Sequence, residues 1–210
     1  MMLNISEYIA SFGDFNELDL PHWDQETIEA VKNESDWIYY NRFKPGFNRW
    51  AIPVVSPDGS YNPNYVGSLN DYYRNTGHLL DEEDFKIRTP IVEKYPTLQR
   101  ALDFWGEDIC RSHFLKLNKG GFFTPHRDSS FAMPVKMFRI GIPLLNFGQY
   151  QAKWYLEDKA LNFEMGRTYF INTSKIHHLF SFVDNAIILV LSVQVTDSSI
   201  KKLITHHSIY

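Results

Sequence analysis

After Cys110 the chain becomes a succession of short extended segments separated by turns: "RSHFLKL", "GFFTPH", "VKMFRIGIPLL", "AKWYLED", "RTYFIN", "HHLFSF" and "AIILVLSVQV". β-Branched and aromatic residues dominate these segments, and Gly, Asn, Asp and Pro collect in the gaps between them. Seven short strands in about 85 residues, with almost no helical periodicity, restrict this half to a sandwich or barrel. The expected fold class is therefore mainly β (α+β), a jelly roll with supporting helices on its N-terminal side.

Upstream the pattern differs. "DQETIEAVKN" reads as a short helix capped by Asp24, and loops follow, punctuated by Pro45-Gly46, Pro57-Asp58-Gly59 and Asn62-Pro63. "PTLQRALDFWGEDI" places Leu98, Ala101, Leu102, Trp105 and Ile109 at helical spacing behind Pro96, a residue suited to a first turn. The expected organisation is a single domain, 1–210. Residues 1–95 would be an N-terminal extension with loops packed on the core, and 96–200 a helix plus the jelly roll.

Composition narrows the function classes. A 210-residue chain that is 44% hydrophobic and 22% charged has the make-up of an ordinary globular domain. Its net charge of -4 and the lack of any long Lys/Arg block supply no field for nucleic acid, which is excluded as a partner. Cys110 is the only cysteine, so an intramolecular disulfide and a multi-cysteine zinc site are both ruled out. A reducing, cytoplasmic setting is expected. The start "MMLNISEYIASFGDF" lacks a basic, then apolar, leader, and no run approaches the ~18 apolar residues of a membrane span; no membrane association is expected.

Aromatic residues make up 16% of the chain, and many fall in "WIYYNRF", "FNRW", "YNPNY" and "DYYRN". Interleaved with Asn and Arg, they can line a substrate groove, but packing of irregular loops onto a sheet is the favoured account of them.

The chemistry-bearing stretch is "GFFTPHRDSS". A histidine and an aspartate at i and i+2 of an extended segment point to one side, so His126 and Asp128 can reach one ion while Arg127 faces away. By itself such a tripeptide is commonplace. A third ligand must come from elsewhere, and "INTSKIHHLFSF" offers a histidine at 177 or 178 at the start of another expected strand. Two histidines and a carboxylate on one face of an octahedron leave positions open, the arrangement of non-haem Fe(II) oxygenases. The remaining histidines, His22, His78, His113, His206 and His207, have no partners at ligand spacing, and the last two fall in what reads as a frayed tail.

"LKLNKGGFFTPHRD", "FRIGIPLLN" and "GRTYFINTSKIHHLF" resemble successive core segments of Fe(II)/2-oxoglutarate-dependent oxygenases, over roughly residues 98–196. Within that superfamily the likeness is nearest to the aspartyl/asparaginyl β-hydroxylase and proline-hydroxylase-like group. The resemblance implies a double-stranded β-helix, cupin-like, with Fe(II) held by His126, Asp128 and His177. The match favours His177 over His178, which would then face the other side of its strand. It also implies 2-oxoglutarate and O2 as cosubstrates, and hydroxylation of a C–H in an amino acid, a peptide side chain or another small metabolite. Retention of Asp128 favours hydroxylation over halogenation.

Two positions depart from the family pattern. The late arginine that holds the far carboxylate of 2-oxoglutarate is replaced by Ala186-Ile187-Ile188, and Gly141 stands where the hydroxylase group often has histidine. Arg139 is the expected substitute anchor, with Lys116, Lys136 and Arg167 as further cations. Because a buried carboxylate needs a cation or several donors, loss of the anchor keeps two other readings open. One is a catalytically silent jelly-roll metal- or ligand-binding module. The other is a metal-dependent cupin-like enzyme that does not use 2-oxoglutarate.

Overall fold

The computed structural model describes residues 12–43, 46–128 and 136–207. The N-terminal segment read for a leader, Pro45 and Val135 at the head of one expected strand lie outside the described residues in whole or in part.

Strands β1 (Phe15–Leu18), β2 (Ile38–Tyr39), β3 (Arg49–Pro53), β4 (Val55–Ser56) and β5 (Ile87–Arg88) precede the strand-rich half. They are interspersed with helices α1 (Gln25–Lys32), α2 (Leu69–Thr76), α3 (Ile91–Lys94) and α4 (Pro96–Trp105). Then come β6 (His113–Leu117), β7 (Phe122–His126), β8 (Met137–Leu145), β9 (Ala152–Leu156), β10 (Lys159–Ala160), β11 (Thr168–Ile171), β12 (His177–Ser181) and β13 (Ala186–Gln194), closed by α5 (Asp197–Thr205). Among the described residues no helix is long and apolar enough to cross a membrane.

Strands β6 to β13 divide between two facing antiparallel sheets. One has the order β1-β11-β8-β13-β6-β3-β2, the other β10-β9-β12-β7. Apart from the β9–β10 hairpin within the smaller sheet, consecutive strands alternate between the sheets, which makes this region a double-stranded β-helix. Its interior is filled by Leu115, Leu117, Trp154, Leu156, Ile171, Leu179, Ile188 and others. On the outer face of the larger sheet a second core packs α1 and α4 through Ile28, Val31, Leu98, Leu102 and Trp105.

Strand β13 shows why the sequence carries an uninterrupted apolar run there. Ile187, Leu189, Leu191 and Val193 belong to the helix-side core, while Ala186, Ile188 and Val190 face the β-helix interior. A central strand buried on both faces has no polar side to alternate with. The same alternation on β8 sends Phe138, Ile140, Ile142 and Leu144 to the helix side, and Arg139 shares the opposite face with Gly141.

The N-terminal half is more involved in the sheet than its loop-like sequence suggests. β1 pairs with β11, and β3 pairs with β6, so both open edges of the larger sheet are covered by strands from before residue 54. The C-terminal residues also differ from the expected frayed tail. Thr196 and Ser199 form a reciprocal capping box that starts α5, and His206 Nδ1 lies 3.0 Å from the Asp19 carbonyl.

Candidate metal centre

The site is assembled by the edge of the smaller sheet. In the β12–β7 ladder His177 stands opposite His126, with a register shift before the Leu179–Phe123 pair. β7 is an edge strand, which lets it carry Pro125 without losing a ladder hydrogen bond to a second neighbour. The chain entering β12 is held by an Asn172-centred turn: the Asn172 side-chain oxygen accepts from the Ser174 hydroxyl at 2.5 Å, and the Lys175 N–H donates to the Asn172 carbonyl at 3.2 Å. The Asp128 N–H donates to the Thr173 carbonyl at 3.1 Å, which ties the segment after β7 to this turn.

These contacts bring His126, Asp128 and His177 together, with one ligand atom of each within 4.8 Å of the others. Both imidazole Nε2 atoms lie 3.7 Å from Asp128 Oδ1. Two atoms that each sit about 2.0–2.2 Å from a common ion stand no more than ~4.4 Å apart, so these spacings suit one ion with slight closing. Each Nδ1 faces a carbonyl: His126 that of Thr124 at 2.7 Å, and His177 that of Lys175 at 3.1 Å. That places the proton on Nδ1 and leaves the Nε2 lone pairs free for a metal, the outer-partner arrangement typical of histidine ligands.

The protonation states also suit a cation. Burial pushes the Asp128 pKa up, but Arg139 and the His177 side outweigh it and hold the carboxyl at about 2. Burial draws the His177 pKa below its ordinary value, with the neighbouring Asp128 only partly opposing it. A charged carboxylate beside the neutral His177 imidazole is a state in which these side chains bind metal. His178 lies on the other face of β12, where its ring stacks on Tyr155 at 4.7 Å and an interplanar angle of 5°.

Arg139 extends into the same place, but its donors are engaged. Nε donates to Asp128 Oδ2 at 2.7 Å, while Nη1 and Nη2 donate to the two Glu82 oxygens at 2.7 and 2.9 Å. Nη1 also donates to the Ser192 hydroxyl. Burial lowers the Arg139 pKa, but Asp128 and Glu82 more than reverse the effect. The carboxylate expected to meet Arg139 from a cosubstrate is therefore met by Glu82 of the chain itself, and taking up another would require Glu82 to leave. The other cations considered are also accounted for. Lys136 pairs with Asp81 and Glu83, Arg167 with Glu17 and Glu164, and the Lys116 ammonium sits 4.2 Å from the Trp37 ring centroid.

Several lining residues had no functional reading in the sequence. His113, from β6, faces the cleft, and burial holds its pKa well below the ordinary value. Glu82 comes from "DEED", which reads as a solvated acidic turn; nothing local signals its reach across to β8. Arg49 lies within "FNRW", one of the aromatic stretches weighed above as a groove lining.

No protein-family model matches the chain, and no curated protein matches it. Among solved structures, HygX from Streptomyces hygroscopicus, with nickel and 2-oxoglutarate bound, is similar at 9% identity with a TM-score of 0.50, over 94% of this chain and 89% of that one. A 2OG-Fe(II) oxygenase family oxidoreductase from Burkholderia pseudomallei matches at 11% identity and a TM-score of 0.46, covering 92% and 91%. A prolyl-4-hydroxylase from Pseudomonas putida matches at 13% identity and 0.43, covering 90% and 97%. At 9% identity the likeness to HygX is one of fold.

Proposed function

We propose that the protein is a non-haem Fe(II)- and 2-oxoglutarate-dependent oxygenase that hydroxylates a C–H of an amino acid, a peptide side chain or a small metabolite. The observation that carries this reading is the meeting of two free imidazole Nε2 atoms and one ionised carboxylate where β7 and β12 lie side by side. Two histidines with one carboxylate are the donor set of Fe(II) oxygenases. The shared fold with HygX, whose structure holds nickel and 2-oxoglutarate, supports the same reading.

His126, Asp128 and His177 would hold the metal. Bound there, Fe(II) supplies the chemistry that couples decarboxylation of 2-oxoglutarate to succinate with insertion of one oxygen atom of O2 into a C–H bond. The chain's own residues do the rest. The carbonyls of Thr124 and Lys175 fix the orientation of the two imidazoles, and Arg139 holds Asp128 Oδ2 so that Oδ1 turns towards the histidines. Arg139 is thus a positioning residue for the carboxylate. The surrounding cleft, about 900 Å³, leaves room for a cosubstrate and a small substrate.

Incubation with Fe(II), 2-oxoglutarate and O2 is expected to yield succinate even without a primary substrate, by slow uncoupled turnover. Succinate should be absent when Fe(II) is omitted and in Asp128→Ala. A wild-type protein that binds Fe(II) and forms no succinate with any amino acid or peptide offered would favour the silent binding module instead.

A further inference from the structure

We propose that Arg49 is the binding point for a carboxylate of the ligand that enters the cleft. This anion site is built on β3, outside the eight strands of the β-helix. It deepens the oxygenase reading, and rests on it only for naming which ligand brings the carboxylate.

Arg49 is 7% exposed and lines the cleft that also holds His126, Asp128 and His177. Its guanidinium carbon lies 4.0 Å from the centroid of the Phe123 ring, 4.8 Å from that of Phe47 and 5.1 Å from that of Tyr40. Its Nε is buried with no hydrogen-bond partner, and among the described residues no acceptor or acid pairs with the side chain. Burial lowers its pKa, the direction expected of a desolvated cation without a counter-ion.

The other buried arginines on this side are treated differently. Arg139 has Asp128 and Glu82, and Arg111 has the Tyr65 and Gly67 carbonyls with Glu82 nearby. A buried unpaired charge is costly, and aromatic rings over its faces compensate only in part. Rings cover the faces of a guanidinium and leave its edge, where N–H groups can grip a planar carboxylate at two points. A second donor in the same cleft is also unused: Trp154 Nε1 is buried without an acceptor, and its ring centroid is 6.0 Å from that of His177.

The anion site lies one ring away from the candidate metal centre, since Phe123, which packs against Arg49, is 6.5 Å from the His126 ring. Both line the same cleft, so one ligand lying in it can meet both. Its carboxylate has two possible sources: the far end of a 2-oxo diacid, or the primary substrate. Arg139, engaged by two carboxylates, does not compete for either.

Glutarate, a diacid with no chelating head, is the first probe, followed by ligand-observed NMR on metal-free protein. Wild type is expected to bind it, and Arg49→Gln to bind at least ~30-fold more weakly, with partial recovery in Arg49→Lys. Arg49→Gln should leave the ligand-free unfolding temperature unchanged or raise it, because an unpaired buried charge is removed. Glutarate failing to bind wild type, or binding the Gln variant equally well, overturns the proposal. So does a large fall in unfolding temperature with binding intact, which would make Arg49 purely structural.

On metal-loaded protein, 2-oxoglutarate is compared with 2-oxobutanoate. Loss of 2-oxoglutarate affinity alone in Arg49→Gln identifies the cosubstrate's far carboxylate as the anion. Unchanged 2-oxoglutarate affinity, with glutarate binding lost, assigns the anion to the primary substrate. Failure of the protein to load metal would sink the oxygenase reading and leave the glutarate result standing.

Discussion

Asp128→Ala and His177→Ala proteins are each expected to bind no stoichiometric divalent metal after anaerobic reconstitution and desalting, whereas wild type retains one ion per chain. Removing an outer partner of a metal ligand typically costs about 10–100-fold in affinity, and removing the ligand itself costs more. The control is His178→Ala, which loses only the stacking contact with Tyr155 and should retain the ion. Metal analysis of the three variants decides the matter. Metal lost in His178→Ala and kept in His177→Ala would mean that β12 presents its other face to the site.

Arg139→Ala should destabilise the metal-free protein by about 3–5 kcal/mol, because breaking a buried pair from one side leaves uncompensated charge behind. The carboxylates are only partly shielded from solvent, the Asp128 side chain being 26% exposed and that of Glu82 19% against 12% for Arg139, which puts the loss at the lower end of that range. Arg111 Nη1, 3.7 Å from Glu82 Oε1, would remain as the nearby cation for Glu82, but it makes no ion pair with Asp128. Added Fe(II) should therefore restore part of the lost stability by replacing the missing positive charge beside Asp128, an effect absent from Arg139→Ala/Asp128→Ala. Urea unfolding with and without metal measures both. A loss under 1 kcal/mol in the single variant would place this triad among weak surface pairs.

Seven of the eight strands after Cys110 were legible because each is short, apolar and bounded by turn residues; the two-residue β10, Lys159–Ala160, was not read. The structural bounds of those seven fall within the segments read from the sequence. The closeness of His126 and Asp128 was suggested by the two-residue strand period, although Asp128 lies just beyond β7 and is held there by its N–H bond to the Thr173 carbonyl. Which histidine of 177 and 178 joins them was not decided by spacing, since one residue of slip reverses every side chain. It depends on the Asn172 turn and the β12–β7 ladder, which are contacts between segments.

β1 and β3 were not legible as strands. "FNEL" is short with a polar centre, and "RWAIP" ends in proline; both are strands because the larger sheet has edges to fill. The C-terminal helix did have a local signal, Thr196 and Ser199 three apart, which the reading of the tail overlooked. The Arg139–Glu82 pair, by contrast, joins residues 57 positions apart and leaves no mark on either local sequence.

The most direct test of the account is anaerobic visible spectroscopy of the protein titrated first with Fe(II) and then with 2-oxoglutarate. A metal held by two imidazoles and one carboxylate keeps open positions that a 2-oxo acid can fill through its C1 carboxylate and ketone. Wild type is predicted to develop a weak metal-to-ligand charge-transfer band near the middle of the visible range, saturating at one equivalent of Fe(II), and His177→Ala to develop none. A wild-type protein that retains Fe(II) but shows no band at saturating 2-oxoglutarate would contradict the oxygenase account.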